Sequence, residues 1–490
     1  MRKKVITGAL MALILLFWIY IAALVPYTHD DWEWGIDAGL EQWLTGAVNN
    51  RFAGNFFVVI MTRSSLVKVL LMGAILFALP VLMAFLTEGG SFFARFLAGN
   101  LILLSLPLTV WRQTVGWVSG FANYCISSAM LLGWLLLLRR FLLAKKKTVL
   151  PALLLFFYTT VAGLFLENQA VLMLLVGLCL VGWALYRRQG RIMTFCTLAG
   201  AAVSCFFLFY NPLYTELNST GTALNGIRTL AFPVDGTLWE ALTALLSRYG
   251  IELLPELFRL SPAFCLMAVL LPLCCFLRSG KKRLMLLALW PAAHGLLCLF
   301  YPQAPAWSSA LGACGSWAVA ILSAAMSSDG WQRRVVLLLM AVFVVAPLAV
   351  VTETGERLFL LPFLLTALAL LDAAAPLLNK KGLLSGCALL VCILMLRYGF
   401  IYHQVERSSR LRQELVAAAV EQGADSVILP TERWRIWWGR NPQTERYMEC
   451  YREFYGIPQE LTLIYLPAGS LEHWPEITQE DWEQRWVYSK

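Results

Sequence analysis

Residues 149–186 read VLPALLLFFYTTVAGLFLENQAVLMLLVGLCLVGWALY, two long apolar runs that meet at Leu166-Glu167-Asn168-Gln169. Runs of about twenty apolar residues are long enough to cross the hydrocarbon core of a bilayer as helices. Basic clusters flank the pair, with Arg139-Arg140 and Lys145-Lys146-Lys147 before it and Arg187-Arg188 and Arg191 after it. The stretch therefore reads as a helical hairpin with both ends on a basic side and one carboxylate at the opposite turn. An ionisable group so placed is a functional candidate by default, against the plainer reading of a short turn in water.

Working outward, apolar runs recur at about 5–26, 64–86, 96–111, 122–138, 192–210, 262–278, 284–301, 306–326, 335–351, 358–377 and 383–402, which gives about thirteen expected spans. The 490 residues are 59% hydrophobic and 14% charged, whereas soluble chains carry about 25% charged residues. The expected fold class is an all-α polytopic membrane bundle over 1–402, with a small α/β domain over 403–490. Its helix is expected at about 404–421, its strands at Val427-Ile428-Leu429 and Leu461-Thr462-Leu463-Ile464-Tyr465. The first run could be cleaved as a signal sequence, but Val25-Pro26-Tyr27-Thr28 offers no small-x-small site, so a retained anchor is expected.

The net charge of +9 is not gathered on one face or tail, so nucleic acid is not an expected partner. Instead, about twenty of the 39 basic residues fall in alternate connections, against about eight in the others, as the positive-inside rule requires. The amino terminus is then expected in the cytoplasm, with the tail and the loops 27–63 and 211–261 outside. Eleven of the twelve cysteines sit in or beside apolar runs, and no Cys/His spacing resembles a zinc site.

The outer side carries the candidate chemistry. His29-Asp30-Asp31-Trp32-Glu33-Trp34 sets adjacent carboxylates just after the first run. Such a pair can hold a divalent cation, or one acid can act as a base tuned by the other; solvated acids are the plainer alternative. Arg51, Arg63, Arg112, Arg228 and Arg357 lie in outer loops, where the positive-inside rule disfavours them. Their planar forks suit phosphate, although for any one of them a pair with a loop acid is the plainer reading. Trp111-Arg112-Gln113 and the turn 117–124 are rich in aromatics and amides that can stack on and hydrogen-bond a sugar. His294 is expected as a packing residue, and Asp372 as a partner of Lys380 or Lys381.

Asp30-Asp31-Trp32, Asn50-Arg51-Phe52-Ala53-Gly54-Asn55, Trp117-Val118-Ser119-Gly120-Phe121-Ala122-Asn123-Tyr124 and Leu166-Glu167-Asn168 resemble motifs of a bacterial multi-spanning branch of the GT-C superfamily of glycosyltransferases. The resemblance spans the membrane region. It implies transfer of a sugar from a polyprenyl-phosphate donor to an envelope glycan or lipid acceptor among membrane lipids. Asp30 or Asp31 would be the base, and Arg51, Arg112, Arg228 and Arg357 would hold the donor phosphate. Trp32, Asn55, Trp117, Asn123, Glu167 and Asn168 would line the substrate. Some members use a divalent cation, Mg or Mn, for which Asp31 and Glu167 would be the ligands here. Trp434-Arg435-Ile436-Trp437-Trp438-Gly439 does not match the oligosaccharyltransferase signature, so asparagine-linked transfer is not implied. The competing class is a lipid-linked sugar flippase or other secondary transporter, although the polar residues gather at outer helix ends rather than near the midplane.

Overall fold

The computed structural model describes residues 2–143, 149–223, 228–327, 329–352, 354–430, 437, 445–466 and 486–488. The chain is an all-α bundle with many apolar helices, as a multi-pass membrane protein requires. Among the described residues, eleven helices are long and apolar enough to cross a bilayer. A twelfth is gained if Phe92–Leu104 and Leu108–Thr114, bent by 93° to one another, form one span. The straight run expected at 96–111 thus breaks at Ser105-Leu106-Pro107, because proline has no N–H to continue the ladder and restricts the residue before it. The run expected at 149–166 is the helix Val149–Gly163, whose 15 residues rise about 22 Å against a core of about 30 Å.

At the centre lies Leu360–Ala374, buried from Leu360 to Ala373. Its apolar faces meet Pro262–Ser279 and Trp331–Phe343, while the outer helices turn large side chains such as Leu16, Phe157 and Leu396 outward, as lipid-facing residues do. At the basic end, Asp372 is 1% exposed and pairs with Arg333 (2.7 Å) and Arg334 (2.8 Å). The partners expected for it, Lys380 and Lys381, are exposed and not its partners: both arginines sit on the neighbouring helix and reach the carboxylate from within the bundle. Arg333 also pairs with Glu88 (2.9 Å), as does Arg139. Arg139 donates to the carbonyl of Leu86 (3.2 Å), Arg278 to that of Asp372 (3.3 Å) and Lys281 to that of Met326 (2.7 Å). These carbonyls lie at helix C-termini, where cations satisfy the last unpaired acceptors.

The tail grows from Lys381–Glu421, one 41-residue helix. The boundary expected at 402/403 falls inside it, so no break separates the last span from the tail. Ser426–Leu429 pairs in parallel with Thr462–Tyr465, which pairs antiparallel with Trp486–Tyr488. Glu445–Tyr455 completes this small module. Of its aromatic residues, Trp434 and Trp438 lie outside the described residues.

Asp372→Asn strands Arg334 inside the bundle, an error that costs about 3 kcal/mol or more. A melting temperature in detergent lowered by several degrees is expected, whereas Lys380→Ala and Lys381→Ala leave it unchanged.

Candidate functional site

The segment after the first helix opens on a constrained residue. His29 has φ of +55°, a left-handed conformation that side chains with a Cβ seldom adopt. It turns the chain into the short helix Asp31–Gly35, on which successive side chains point about 100° apart. The two neighbouring acids therefore meet different surroundings.

Asp31 is fully buried. Its carboxylate accepts from the Thr28 N–H (2.9 Å), the Val118 N–H (3.3 Å), the Ser119 N–H (2.8 Å) and the Ser119 hydroxyl (2.5 Å). It binds the exit of the first helix to the turn at 117–119. Asp30 is half-buried and accepts from Trp117 Nε1 (2.9 Å), with the Ser119 hydroxyl nearby. Burial raises both carboxyls above the usual carboxylate range. The neighbouring charge of Asp30 raises Asp31 further, as Glu33 does Asp30, and the hydrogen bonds oppose these effects.

Across the Trp117 ring stands Arg357, its guanidinium 5.4 Å from the ring centroid and 5.8 Å from that of Tyr124. Arg357 donates to the Tyr124 hydroxyl (3.1 Å) and to Gln113 Oε1 (3.2 Å), while Gln113 donates to Glu356. Arg51 lies on the far side of Tyr124 in electrostatic terms, close enough for each to act on the other. It makes a bidentate pair with Glu167 (2.8–3.1 Å), whose carboxylate also accepts from the Tyr214 hydroxyl (3.0 Å). Arg228, half-buried on the strand Arg228–Thr229, is within electrostatic reach of Tyr214.

The structure thus brings Asp30, Trp117, Arg357, Arg51, Glu167 and Arg228 into one polar region at the end opposite Asp372. Ser65–Leu86 alone separates the two ends by about 33 Å. Within it, Arg51 is matched by Glu167, while Arg357 and Arg228 form no ion pair among the described residues; Arg112 lies half-buried on Leu108–Thr114, the helix that also carries Gln113. Tyr124 and Tyr214 are members of the site that sequence reasoning missed; Tyr124 lies within the aromatic turn 117–124, but nothing in the sequence marks Tyr214 as the partner of Glu167.

Other expected site residues have scaffold duties. Trp32 is 3% exposed and packs edge-on against Tyr451 at 5.0 Å, so it is not a substrate-facing ring. Asn55 is buried and donates to Asn49 Oδ1 (3.1 Å), and Asn168 to the carbonyl of Val344 (3.3 Å). Asn123 donates to the Ser119 carbonyl (3.1 Å) and packs so tightly on Gly54 that any Cβ there would collide with its Oδ1. Arg63 donates to the carbonyls of Trp34 (2.6 Å) and Ile36, which closes the C-terminus of the Asp31–Gly35 helix. Asn50 and Asn211 interlock (2.8 Å) and tie the same loop to the end of Arg191–Phe209.

Asp31 and Glu167 do not fit a shared metal ion: four N–H and O–H donors occupy one carboxylate, and an arginine fork with a tyrosine hydroxyl occupies the other. No group of three His, Cys, Asp or Glu side chains able to hold a metal ion occurs among the described residues. His294 is a packed residue, 3% exposed, bonded to the Ser316 hydroxyl at 3.1 Å. No protein-family model matches the chain, and neither does any curated protein or solved structure.

Asp31→Asn turns an amide N–H2 toward groups that themselves donate, leaving buried donors unmatched at about 2 kcal/mol. A clear fall in melting temperature is expected for it and little change for Asp30→Asn, read by thermal unfolding of the two variants side by side.

Proposed function

We propose that the protein is a membrane glycosyltransferase that moves a sugar from a polyprenyl-phosphate donor to an envelope acceptor, with Asp30 as the base. The observation that carries this reading is the contrast between the adjacent acids. Asp31 is saturated by four donors, while Asp30 is half-buried and within electrostatic reach of Arg357, whose own hydrogen-bond partners are neutral. A base needs an accessible carboxylate, and a leaving phosphate needs surplus positive charge.

In the proposed reaction Asp30 takes the proton of an acceptor hydroxyl as that oxygen bonds to the anomeric carbon of the donor sugar. The bond from that carbon to the phosphate oxygen breaks, and the lipid phosphate departs carrying the electron pair. Arg357 and Arg228 would receive it, with Arg112 on the helix that carries Gln113 as a further candidate; Arg51 is already forked onto Glu167. The leaving phosphate needs no protonation, so a second carboxylic acid has no part. No step in this scheme uses Asp31 or Glu167 as a metal ligand.

The positive-inside pattern supports an amino terminus in the cytoplasm; with an odd number of crossings, eleven from the long helices or thirteen if the bent pair and Val149–Gly163 each cross as well, the carboxyl-terminal module would lie on the outer face of the plasma membrane. The site would then meet acceptors on that face.

The test is transfer from a panel of radiolabelled polyprenyl-phosphate sugars by the protein in nanodiscs. Asp30→Asn is expected to lower turnover about 10²- to 10⁴-fold, the range of a general base, at normal melting temperature. A parent inactive with every donor, but moving sugar lipids across proteoliposomes, would replace this reading with transport. Because the base must be ionised and burial raises its carboxyl, activity should fall as pH drops through the raised value and level off above it. A pH profile whose acid limb sits in the usual carboxylate range would count against Asp30.

A further inference from the structure

The tail helix Glu445–Tyr455 packs directly on Asp31–Gly35. Phe454 lies over Gly35, where any Cβ would run into its ring, and meets Tyr27 at 5.3 Å between centroids. Tyr451 covers Trp32. Arg446 pairs with Glu33 Oε1, which also accepts from Gln42 Nε2 at 2.5 Å. This helix therefore touches the peptide segment that carries Asp30 at three positions along its length.

Tyr447 follows Arg446 and is half-buried. Its hydroxyl is pushed up to about 12, first by burial and then by the charges of Asp30 and Glu33. Asp30 is bordered by Trp117 through a hydrogen bond, with the His29 ring 5.8 Å from that of Trp117, and Tyr447 stands next to Arg446 on the helix that packs on Asp31–Gly35 and grips Glu33. Aromatic faces around a carboxylate are the surroundings that sugar rings favour, stacking on the π-face while a hydroxyl reaches the acid. A long acyl or isoprenoid alcohol would use no such faces.

We propose that the tail helix is a wall of the Asp30 site, with Arg446 positioning the Asp30 segment through Glu33, and Tyr447 facing an acceptor that is a glycan hydroxyl. The acceptor assignment rests on the transferase reading; the wall does not.

The charged and titratable groups facing Asp30 are Asp31 and Glu33 from its own segment, Arg357 from the far wall, and Tyr447 with Arg446 from the tail. Removing Arg446 leaves Glu33 uncompensated beside Asp30 and disfavours its ionised form. Carbodiimide labelling of Asp30, followed by peptide mass spectrometry across pH on the full chain in nanodiscs, reads this without any turnover. In Arg446→Gln the labelling midpoint is expected to rise by about half a unit to one unit, the scale of one partly exposed charge. Arg446→Lys should restore it, and a second change, Glu33→Gln, should cancel the rise. An unmoved midpoint in a folded Arg446→Gln protein would overturn the positioning role.

The acceptor side is read separately with Tyr447→Phe and Tyr447→Ala. We expect a rise of about threefold to tenfold in KM for glycan acceptors, roughly the value of one aromatic contact, larger for Ala and with donor KM unchanged. Equal KM values in both variants, or transfer to lipid alcohols alone, would overturn the glycan assignment. A parent without transfer but with the labelling shifts intact would remove the transferase reading and leave the tail as a wall of a different site.

Discussion

The Asp31 carboxylate is the interaction on which the end of the bundle opposite Asp372 depends. A buried anion is tolerated only when donors replace the water it has lost, and here they come from Thr28 on one side and from Val118 and Ser119 on the other. That requirement fixes the segment after the first helix against the turn at 117–119. Because the segment is helical, fixing one residue fixes the directions of the rest. Asp30 reaches the Trp117 indole, Trp32 and Glu33 face the tail, and Trp34 enters the main core. A single buried charge thereby sets the aim of the candidate base, the seat of the tail and the closure of the bundle at that end.

The two ends of the bundle treat cations differently. At the basic end, arginines and a lysine lie on helix C-terminal carbonyls and on Asp372 and Glu88. Their positive charge completes the structure there and is largely consumed by it. At the other end Arg51 and Arg63 are used in the same manner, on Glu167 and on the carbonyls of Trp34 and Ile36. Arg357 is not: its partners are a tyrosine hydroxyl, an amide and two ring faces. Neutral partners orient a guanidinium without discharging it, so its field remains available to an anion.

Much of this was legible in the sequence, and the parts that were not have identifiable causes. Apolar run length placed nearly every long helix, because in lipid each backbone group must be satisfied within its own helix. The acid pair, the outer arginines and Glu167 were marked by being charges where charge is costly. Pairing was harder, since which cation meets Asp372 or Glu167 depends on how helices distant in sequence are packed. The roles of Asp31 and Trp32 were hidden for the same reason. A one-residue step along a helix moves a side chain by about 100°, and only the positions of the turn at 117–119 and of the tail decide which of two adjacent acids is enclosed. The tail helix Glu445–Tyr455 lacked an apolar run, as a helix that buries one face against another polar-edged segment does.

The distribution of polarity along the central helix bears on the choice between transfer and transport. A transported sugar headgroup needs polar partners along its route, and in transporters these lie near the midplane, often at broken helices. Leu360–Ala374 is buried throughout, and between its start and Asp372 its single polar side chain is Thr366, whose hydroxyl is returned to the Pro362 carbonyl at 2.9 Å. The break in the bundle, between Phe92–Leu104 and Leu108–Thr114, instead precedes the helix that brings Gln113 to Arg357. It directs polar groups to the end opposite Asp372 rather than opening a path through the middle. An enzyme acting on a lipid-borne sugar needs the reverse of a transport route: an apolar interior that stays closed, and a charged end where the reacting bond meets fixed groups.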